Sequence, residues 1–149
     1  MYRRILVPLD GSAFSESALV HAKAIAAGCS SPTLVLLTVI EPYHGQVNRI
    51  EEGLDLKIER EARTAAGNYL NKLTAIIKSE GLNAEPVIVD GSPASAILSY
   101  AEKNNIDLIV MSTHCRAGIT RLALGSVANK VVSSSSIPLV LAPPHSLNK

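Results

Sequence analysis

The fold is decided by residues 107–126, which read DLIVMSTHCRAGITRLALGS. The apolar run at the start is typical of a buried strand, and the pair Gly125-Ser126 at the end is typical of a helix start. A strand that leads through a loop into a helix is where α/β proteins bind phosphate. Exposed backbone N–H groups and the positive end of the helix dipole attract an anion there. The carboxyl end of this strand is therefore the first place to look for a ligand site.

Composition and charge narrow the classes of protein to which this chain can belong. Its 149 residues are enough for one domain, and a hydrophobic content of 47% is ample for a buried core. The formal net charge is only +1, and aromatic residues make up 3% with no Trp. Nucleic acids and acidic membranes are bound by basic surfaces, and single strands also by aromatic side chains. We therefore expect no nucleic acid and no membrane as partners.

Hydropathy also bears on where the protein is found. The apolar run near the N-terminus ends at Pro8, too early for the core of a signal peptide. No apolar stretch approaches the roughly 20 residues that a membrane helix needs. We expect a cytoplasmic protein.

The cysteines and histidines show no metal-ligand spacing. Cys29 and Cys115 are not predicted to form a disulfide in an intracellular chain, and His44 and His114 lack a second ligand at metal spacing. Cys115 has two open interpretations. It is either a small residue that fills a turn, or a reactive thiol whose pKa is lowered by a helix start and by the neighbouring Arg116.

Five short runs of mostly Val, Ile and Leu predict strands that are covered on both faces. Amphipathic stretches long enough for helices separate them. The runs are residues 5–9, 34–40, 86–89, 108–111 and 139–142, and the clearest helical stretches are residues 14–27 and 54–79. The order βαβαβαβαβ requires right-handed crossovers, so it predicts a parallel sheet with helices on both faces.

Glycine, serine and proline mark the predicted ends of these elements. Gly28 and Gly81 follow helical patterns, as residues just past a helix do. Ser92 followed by Pro93 predicts a helix start. Residues 42–53 are polar and are predicted to form a loop.

In a sheet of this kind, ligands bind beyond the carboxyl ends of the strands, near the point where the strand order reverses. A small-molecule site is therefore expected in the stretches that follow four of the predicted strands. These stretches are residues 8–12, 39–41, 89–92 and 111–115.

Five stretches, taken in order and with their spacing, resemble the universal stress protein family. They are residues 5–12 (ILVPLDGS), 90–93 (DGSP), 106–114 (IDLIVMSTH), 122–132 (LALGSVANKVV) and 137–141 (IPLVL). The resemblance runs nearly the whole chain, so residues 1–149 are interpreted as one domain of this family. It implies an open, twisted, parallel five-stranded α/β sheet of the Rossmann-like, adenine nucleotide alpha-hydrolase-like type, in strand order 3-2-1-4-5. It also implies a homodimer paired through the last strand.

One branch of the family binds ATP through Gly-x-x-Gly, nine further residues, and then Gly-Ser or Gly-Thr, and another branch has lost the motif and does not bind ATP. Here Gly125 and Ser126 keep the second half, whereas Ser112 and Cys115 stand in the two loop glycine positions. At positive φ, Cys115 would be strained by about 1 kcal/mol. The resemblance therefore implies the ATP-binding branch with a degenerate glycine loop and weakened, rather than abolished, binding.

The resemblance also implies the site residues. Asp10 would hydrogen-bond the adenine or ribose, a role that can coexist with capping the turn at residues 11 and 12, and Val39 would contact the base. The charge of Arg116, rather than the resemblance, suggests that it offsets phosphate charge. Mg²⁺ would be held by phosphate oxygens and water. The complete predicted set is Pro8, Asp10, Val39, Met111, Ser112, His114, Cys115, Arg116, Gly125, Ser126 and Val127.

Two functions remain open from the sequence. The first is a small ATP-binding regulatory module of a stress response, and the second is a dimer that binds no nucleotide and acts through an unknown protein partner. An enzyme is not expected, because the chain has no P-loop Gly-Lys-Ser/Thr and no placed carboxylate to position an attacking water, although slow ATP hydrolysis is compatible with the residues.

Overall fold

The computed structural model describes residues 1–42, 52–113 and 124–143, in which five strands alternate with four helices. In chain order the elements are β1 (Arg4–Pro8), α1 (Ala13–Ala27), β2 (Thr33–Ile40), α2 (Glu52–Ser79), β3 (Asn83–Asp90), α3 (Pro93–Lys103), β4 (Leu108–Ser112), α4 (Ser126–Ser134) and β5 (Leu139–Ala142). The strands form one parallel sheet in the order β3-β2-β1-β4-β5. The predicted fold class and strand order are confirmed. Among the described residues, no helix combines the length and the hydropathy of a membrane-spanning segment.

Successive residues of the central strand β1 face opposite sides of the sheet, and each side has its own buried cluster. Ile5 and Val7 pack with residues of α1 and α2, whereas Leu6 between them packs with residues of α3 and α4. All three side chains are fully buried. Because both faces must exclude water, the strand reads as an unbroken apolar run, and helices cover both faces as predicted.

Two of the predicted elements begin two or three residues too late, and the other predicted boundaries agree with the structure to within one residue. β3 begins at Asn83 instead of residue 86, because it pairs with β2 along its full length. The sequence did not indicate the first residues of β3 because Asn83 and Glu85 are polar. An edge strand is partly open to solvent, so polar residues can occupy these positions. α2 begins at Glu52, so Gly53 is helical and not part of a loop. The rest of the predicted loop, residues 43–51, lies outside the described residues.

The predicted helix ends are largely as expected. Ser92 is the N-cap of α3 and Pro93 its first residue. Gly81 follows α2 with φ +88°, a backbone conformation that favours glycine. Gly28 caps α1 with φ −86°, which any residue adopts, so glycine is not required there.

At the amino edge of the sheet, a carboxylate links the starts of β1 and β4. Asp107, just before β4, accepts hydrogen bonds at Oδ2 from the backbone N–H groups of Arg3 (2.8 Å) and Arg4 (2.9 Å). The backbone N–H of Asp107 donates in return to the carbonyl oxygen of Arg4 (2.9 Å). The N–H groups of Arg4 and then Arg3 hold the pKa of Asp107 below its usual range, because they stabilise the charged form.

Replacing Asp107 with Asn is expected to lower the free energy of unfolding at pH 7 by about 1 kcal/mol or less, because the carboxylate is exposed and screened. The pKa of Asp107 is lower in the folded chain, so its contribution is present above the unfolded pKa of 3.8 and is lost as the pH falls through the folded value. Urea denaturation should therefore separate wild type from the variant at pH 7, and the difference should shrink as the pH falls below 3.8. A difference that does not change with falling pH would contradict the charge-dependent role.

Candidate functional site

A pocket of about 640 Å³ opens at the carboxyl edge of the sheet, where a ligand site was predicted. Every predicted site residue that the structure describes lines this pocket: Pro8, Asp10, Val39, Met111, Ser112, Gly125, Ser126 and Val127. The remaining predicted residues, His114, Cys115 and Arg116, lie outside the described residues. Their roles stay predictions.

The turn between β1 and α1 places Asp10 at the rim of the pocket. Its Oδ1 accepts hydrogen bonds from the backbone N–H of Ser12 (2.9 Å) and from Ser12 Oγ (2.5 Å). Its own N–H donates to Ser15 Oγ (3.2 Å), and the N–H of Ser15 donates to Ser12 Oγ (3.1 Å). Gly11 lies between them with φ +86°, which the tight turn requires. These bonds fix the direction of the Asp10 carboxylate before any ligand arrives.

An apolar slot lies beside Asp10, between the carboxyl ends of β1, β2 and β4. Leu37 is fully buried and Met111 is 2% exposed, while Val39 is half-buried and closer to the opening. The N–H of Leu9 donates to the carbonyl of Leu37 (2.8 Å), and Thr38 Oγ1 donates to the carbonyl of Leu9 (2.9 Å). Because these bonds lock the two strand ends together, the slot is preformed. An apolar lining of this kind accepts apolar or aromatic groups of a ligand.

Ser112, the residue in the first glycine position of the family motif, causes no backbone strain. It is the last residue of β4 and is 2% exposed. Among the described residues other than glycine, positive φ occurs only at Ser31 and Asn105. Glycine is therefore not required at residue 112 by the backbone.

The start of α4 forms the other end of the pocket. The N–H of Gly125 donates to the carbonyl of Thr113 (2.9 Å), and this bond holds the helix start against the end of β4. The predicted helix start at this pair is where the structure has it: Gly125 is the N-cap of α4, and Ser126 is the first helical residue. The first bond inside the helix runs from the N–H of Asn129 to the carbonyl of Gly125 (2.9 Å).

This arrangement leaves backbone donors at the pocket. The N–H groups of Ser126, Val127 and Ala128 precede the first intrahelical bond, so they have no partner within α4, and all three residues line the pocket. The exposed hydroxyl of Ser126 lies beside them. Unpaired N–H groups at the positive end of a helix bind anions, above all phosphate.

The pocket also contains residues that were not in the predicted set of site residues. Pro93 and Ile97 come from α3, and Ala62 comes from α2. Pro93 follows directly on the predicted stretch 89–92, so its place in the pocket could have been predicted from the sequence. Ala62 carried no local signal, because it lies in the middle of a long helix and reaches the pocket only through the packing of α2 on the sheet.

The described residues offer no metal site of their own. Within residues 1–42, 52–113 and 124–143, no group of three or more His, Cys, Asp or Glu side chains is placed to hold a metal ion.

Comparison with known proteins identifies the family. The model of the universal stress protein family matches residues 1–143. The chain belongs to the universal stress protein family. Among curated members, universal stress protein MJ0531 of Methanocaldococcus jannaschii is 30% identical over 95% of this chain and 82% of its own length.

Solved structures of the family share the fold. The structure of protein MJ0577, another universal stress protein of Methanocaldococcus jannaschii, matches with a TM-score of 0.83 at 27% identity and covers 98% of this chain and 99% of that chain. A universal stress protein solved in complex with cAMP matches with a TM-score of 0.71 at 25% identity, covering 95% of this chain and 97% of that chain. The family therefore includes structural relatives that bind a nucleotide.

Proposed function

We propose that this protein binds ATP in the pocket at the carboxyl edge of the sheet and serves as a cytoplasmic regulatory module of a stress response. One observation carries the proposal: the pocket has an apolar slot with Asp10 at one end and the start of α4 at the other. An adenine nucleotide has the same two-ended chemistry, with a flat ring at one end and a polyanion at the other.

At the base end, Val39 and Met111 would pack against the adenine ring. The Asp10 carboxylate would accept hydrogen bonds from the adenine or the ribose hydroxyls. Because Ser12 already holds the carboxylate in place, little side-chain entropy would be lost when the ligand binds.

At the phosphate end, the N–H groups at the start of α4 and the hydroxyl of Ser126 would donate to phosphate oxygens. The helix dipole contributes roughly 0.3–1 kcal/mol for each nearby negative charge. Mg²⁺ would be held mainly by phosphate oxygens and water, and it would reduce the repulsion between the phosphates. The predicted Arg116 would add charge compensation.

The relatives support a nucleotide as the ligand class. The complex of a 25% identical universal stress protein with cAMP supports binding of an adenine nucleotide here as well. Membership of the family supports the stress-response role.

We propose a binding role and not a catalytic one, because the sequence contains neither a P-loop nor a carboxylate placed to activate water. A homodimer formed through β5 and an unknown protein partner belong to the same proposal. The position of β5 at the edge of the sheet supports the dimer, since an edge strand has backbone groups available for pairing.

The second candidate function is a dimer that binds no nucleotide and acts through protein contacts. The observation that favours it is the replacement of both loop glycines, by Ser112 and Cys115. Side chains in a phosphate loop occupy space that the phosphate oxygens would otherwise fill.

Calorimetric titration of ATP with Mg²⁺ into wild type and Cys115→Gly distinguishes the two functions. We expect micromolar binding by wild type and tighter binding by the variant, because glycine removes a side chain from the loop. Binding by the variant alone would mean that this sequence has switched the site off. Binding by neither protein would favour the protein-contact dimer.

Replacing Ser126 with Ala is expected to weaken ATP binding by about fivefold to tenfold and AMP binding less than about twofold, because one hydrogen bond to a distal phosphate is lost. Ser133→Ala is the matched control, since Ser133 lies at the far end of the same helix and donates to the carbonyl of Asn129 (2.8 Å). Titration of each variant with both nucleotides checks the prediction. Equal losses for ATP and AMP would reject a role for Ser126 at the distal phosphate.

A further inference from the structure

We propose that the ion pair between Arg63 and Asp90 is a positioning pair that holds the base end of the pocket in its binding shape. The inference rests on the proposed nucleotide function and adds residues that regulate affinity at the same site. Neither Arg63 nor Asp90 belongs to the apolar slot or to the donors at the start of α4.

The ion pair joins two walls of the pocket. Arg63 follows the pocket residue Ala62 on α2, and its Nη2 donates to Oδ1 of Asp90, the last residue of β3. Three residues after Asp90, Pro93 begins α3 and also lines the pocket. The ion pair therefore links the α2 wall of the pocket to the strand end that leads into the α3 wall.

The α2 wall has little other anchorage near the pocket. Among the described side chains of α2, those of residues 60–65 are all exposed, and the first that is buried is Leu70. Tyr69 packs against the core beside it, and its hydroxyl donates to Oε1 of Glu16 on α1 (2.5 Å). Burial and the bond to Glu16 raise the pKa of Tyr69 above its usual range, so this anchor stays protonated. Ala62 lies two helical turns before Tyr69.

The Asp90 side of the pair is rigid. Asp90 pairs with Ile40 of β2, and the N–H of Gly91 donates to the carbonyl of Ile40 (3.1 Å). Gly91 has φ +137°, which only glycine adopts readily, and the turn leads directly into the cap of α3. The pair thus ties a weakly anchored helix to a fixed strand end.

The position of the pair predicts which part of a nucleotide it affects. Arg63 and Asp90 lie at the β3 and β2 end of the sheet, whereas Ser126 lies at the start of α4, which follows β4. Loss of the pair should change the binding of the nucleoside part of the ligand and hardly change the binding of the phosphates. Loss of the pair should therefore weaken adenosine, AMP and ATP by the same factor.

The pair is also exposed, which makes its effect sensitive to salt. The side chains of Arg63 and Asp90 are 47% and 63% exposed, so ions in solution screen their attraction. Adenosine carries no charge, and its affinity therefore does not depend directly on phosphate screening. Salt dependence of adenosine binding reports on the pair.

The test is calorimetric titration of adenosine into wild type, Arg63→Gln, Asp90→Asn and Arg63→Lys at low and high sodium chloride. Lys23→Gln is the matched control, because Lys23 pairs with Glu80 (3.0 Å) at the far end of α2, away from the pocket residues. At low salt we expect Arg63→Gln and Asp90→Asn to weaken adenosine by about threefold to fivefold, as an exposed pair allows. Arg63→Lys should restore part of the loss, and Lys23→Gln should bind as wild type does.

At high salt, the adenosine affinities of wild type and Arg63→Gln should converge. Salt screens the attraction between Arg63 and Asp90 in wild type, and the substitution removes the same attraction in the variant. Unchanged affinity in Arg63→Gln at low salt would overturn the inference while leaving the proposed function intact. The same holds if Lys23→Gln loses as much affinity, since the effect would then be general destabilisation. Wild type that binds neither adenosine nor ATP would overturn the proposed function and this inference together.

Discussion

Asp10→Asn is expected to weaken adenosine and ATP alike by roughly 10-fold to 100-fold, the largest effect on binding that the site predicts. The charged carboxylate accepts stronger hydrogen bonds than an amide does, and a charged partner is worth roughly 1.5–3 kcal/mol. The fold should survive, because the amide oxygen of Asn can still accept the two hydrogen bonds that Ser12 donates to Oδ1. Titration measures the affinity and thermal unfolding measures the stability.

Ser12→Ala is the control for Asp10→Asn, because Ser12 supports the turn and is the N-cap of α1. Losing the cap should cost about 1 kcal/mol of stability, since the N–H of Ser15 loses its acceptor. Its effect on affinity should be much smaller than that of Asp10→Asn. If the two variants lose affinity and stability in the same proportion, Asp10 acts only through the turn and the ligand role is rejected.

Leu141→Pro is expected to convert the proposed homodimer into a monomer. The register of β4 and β5 shows why this residue is the right one. The carbonyl oxygens of Pro138 and Ala142 accept bonds from the N–H groups of Ile109 and Thr113, so the even-numbered residues of β5 point their backbone groups at β4. Because backbone groups alternate along a strand, the N–H of Leu141 points outward, to the edge where a second copy would pair. Proline removes that donor.

Leu141→Ala is the matched control, because it removes the same side chain and keeps the N–H. Light scattering should find dimers for wild type and Leu141→Ala and monomers for Leu141→Pro, with circular dichroism confirming that all three are folded. Val140→Pro is unsuitable for this purpose, since the N–H of residue 140 points at β4 and its loss would damage the sheet. A dimer that persists in Leu141→Pro would place the interface elsewhere, and a wild-type monomer would contradict the homodimer prediction.

The sheet was predictable from the sequence because its strands are buried on both faces. In β1, Ile5, Leu6 and Val7 are all fully buried, so no polar residue interrupts the apolar run. The start of β3 was missed for the opposite reason, because an edge strand leaves Asn83 and Glu85 partly in contact with solvent. Burial, more than strand propensity, made the pattern readable.

The site was predictable where it follows directly on a strand or starts a helix. Asp10 and Ser112 come at the ends of β1 and β4, and Gly125 starts α4, so the rule for parallel sheets places them together. Ala62 and Arg63 could not be found this way, since nothing in the local pattern of α2 distinguishes them from other residues of an amphipathic helix. Asp90 lies in the predicted stretch 89–92, but its partner on α2 could not be predicted.

The amino-acid sequence alone predicted the parallel α/β fold, the strand order implied by the family resemblance, and the edge of the sheet at which a ligand is expected. These depend on periodic burial and on short local signals, which adjacent residues carry. The tertiary structure decided that Gly125, not Ser126, caps α4, that Asp10 is held by Ser12, and that Arg63 reaches Asp90. Contacts such as that between Arg63 and Asp90, 27 residues apart, depend on how helices pack against the sheet, and no local pattern encodes that distance.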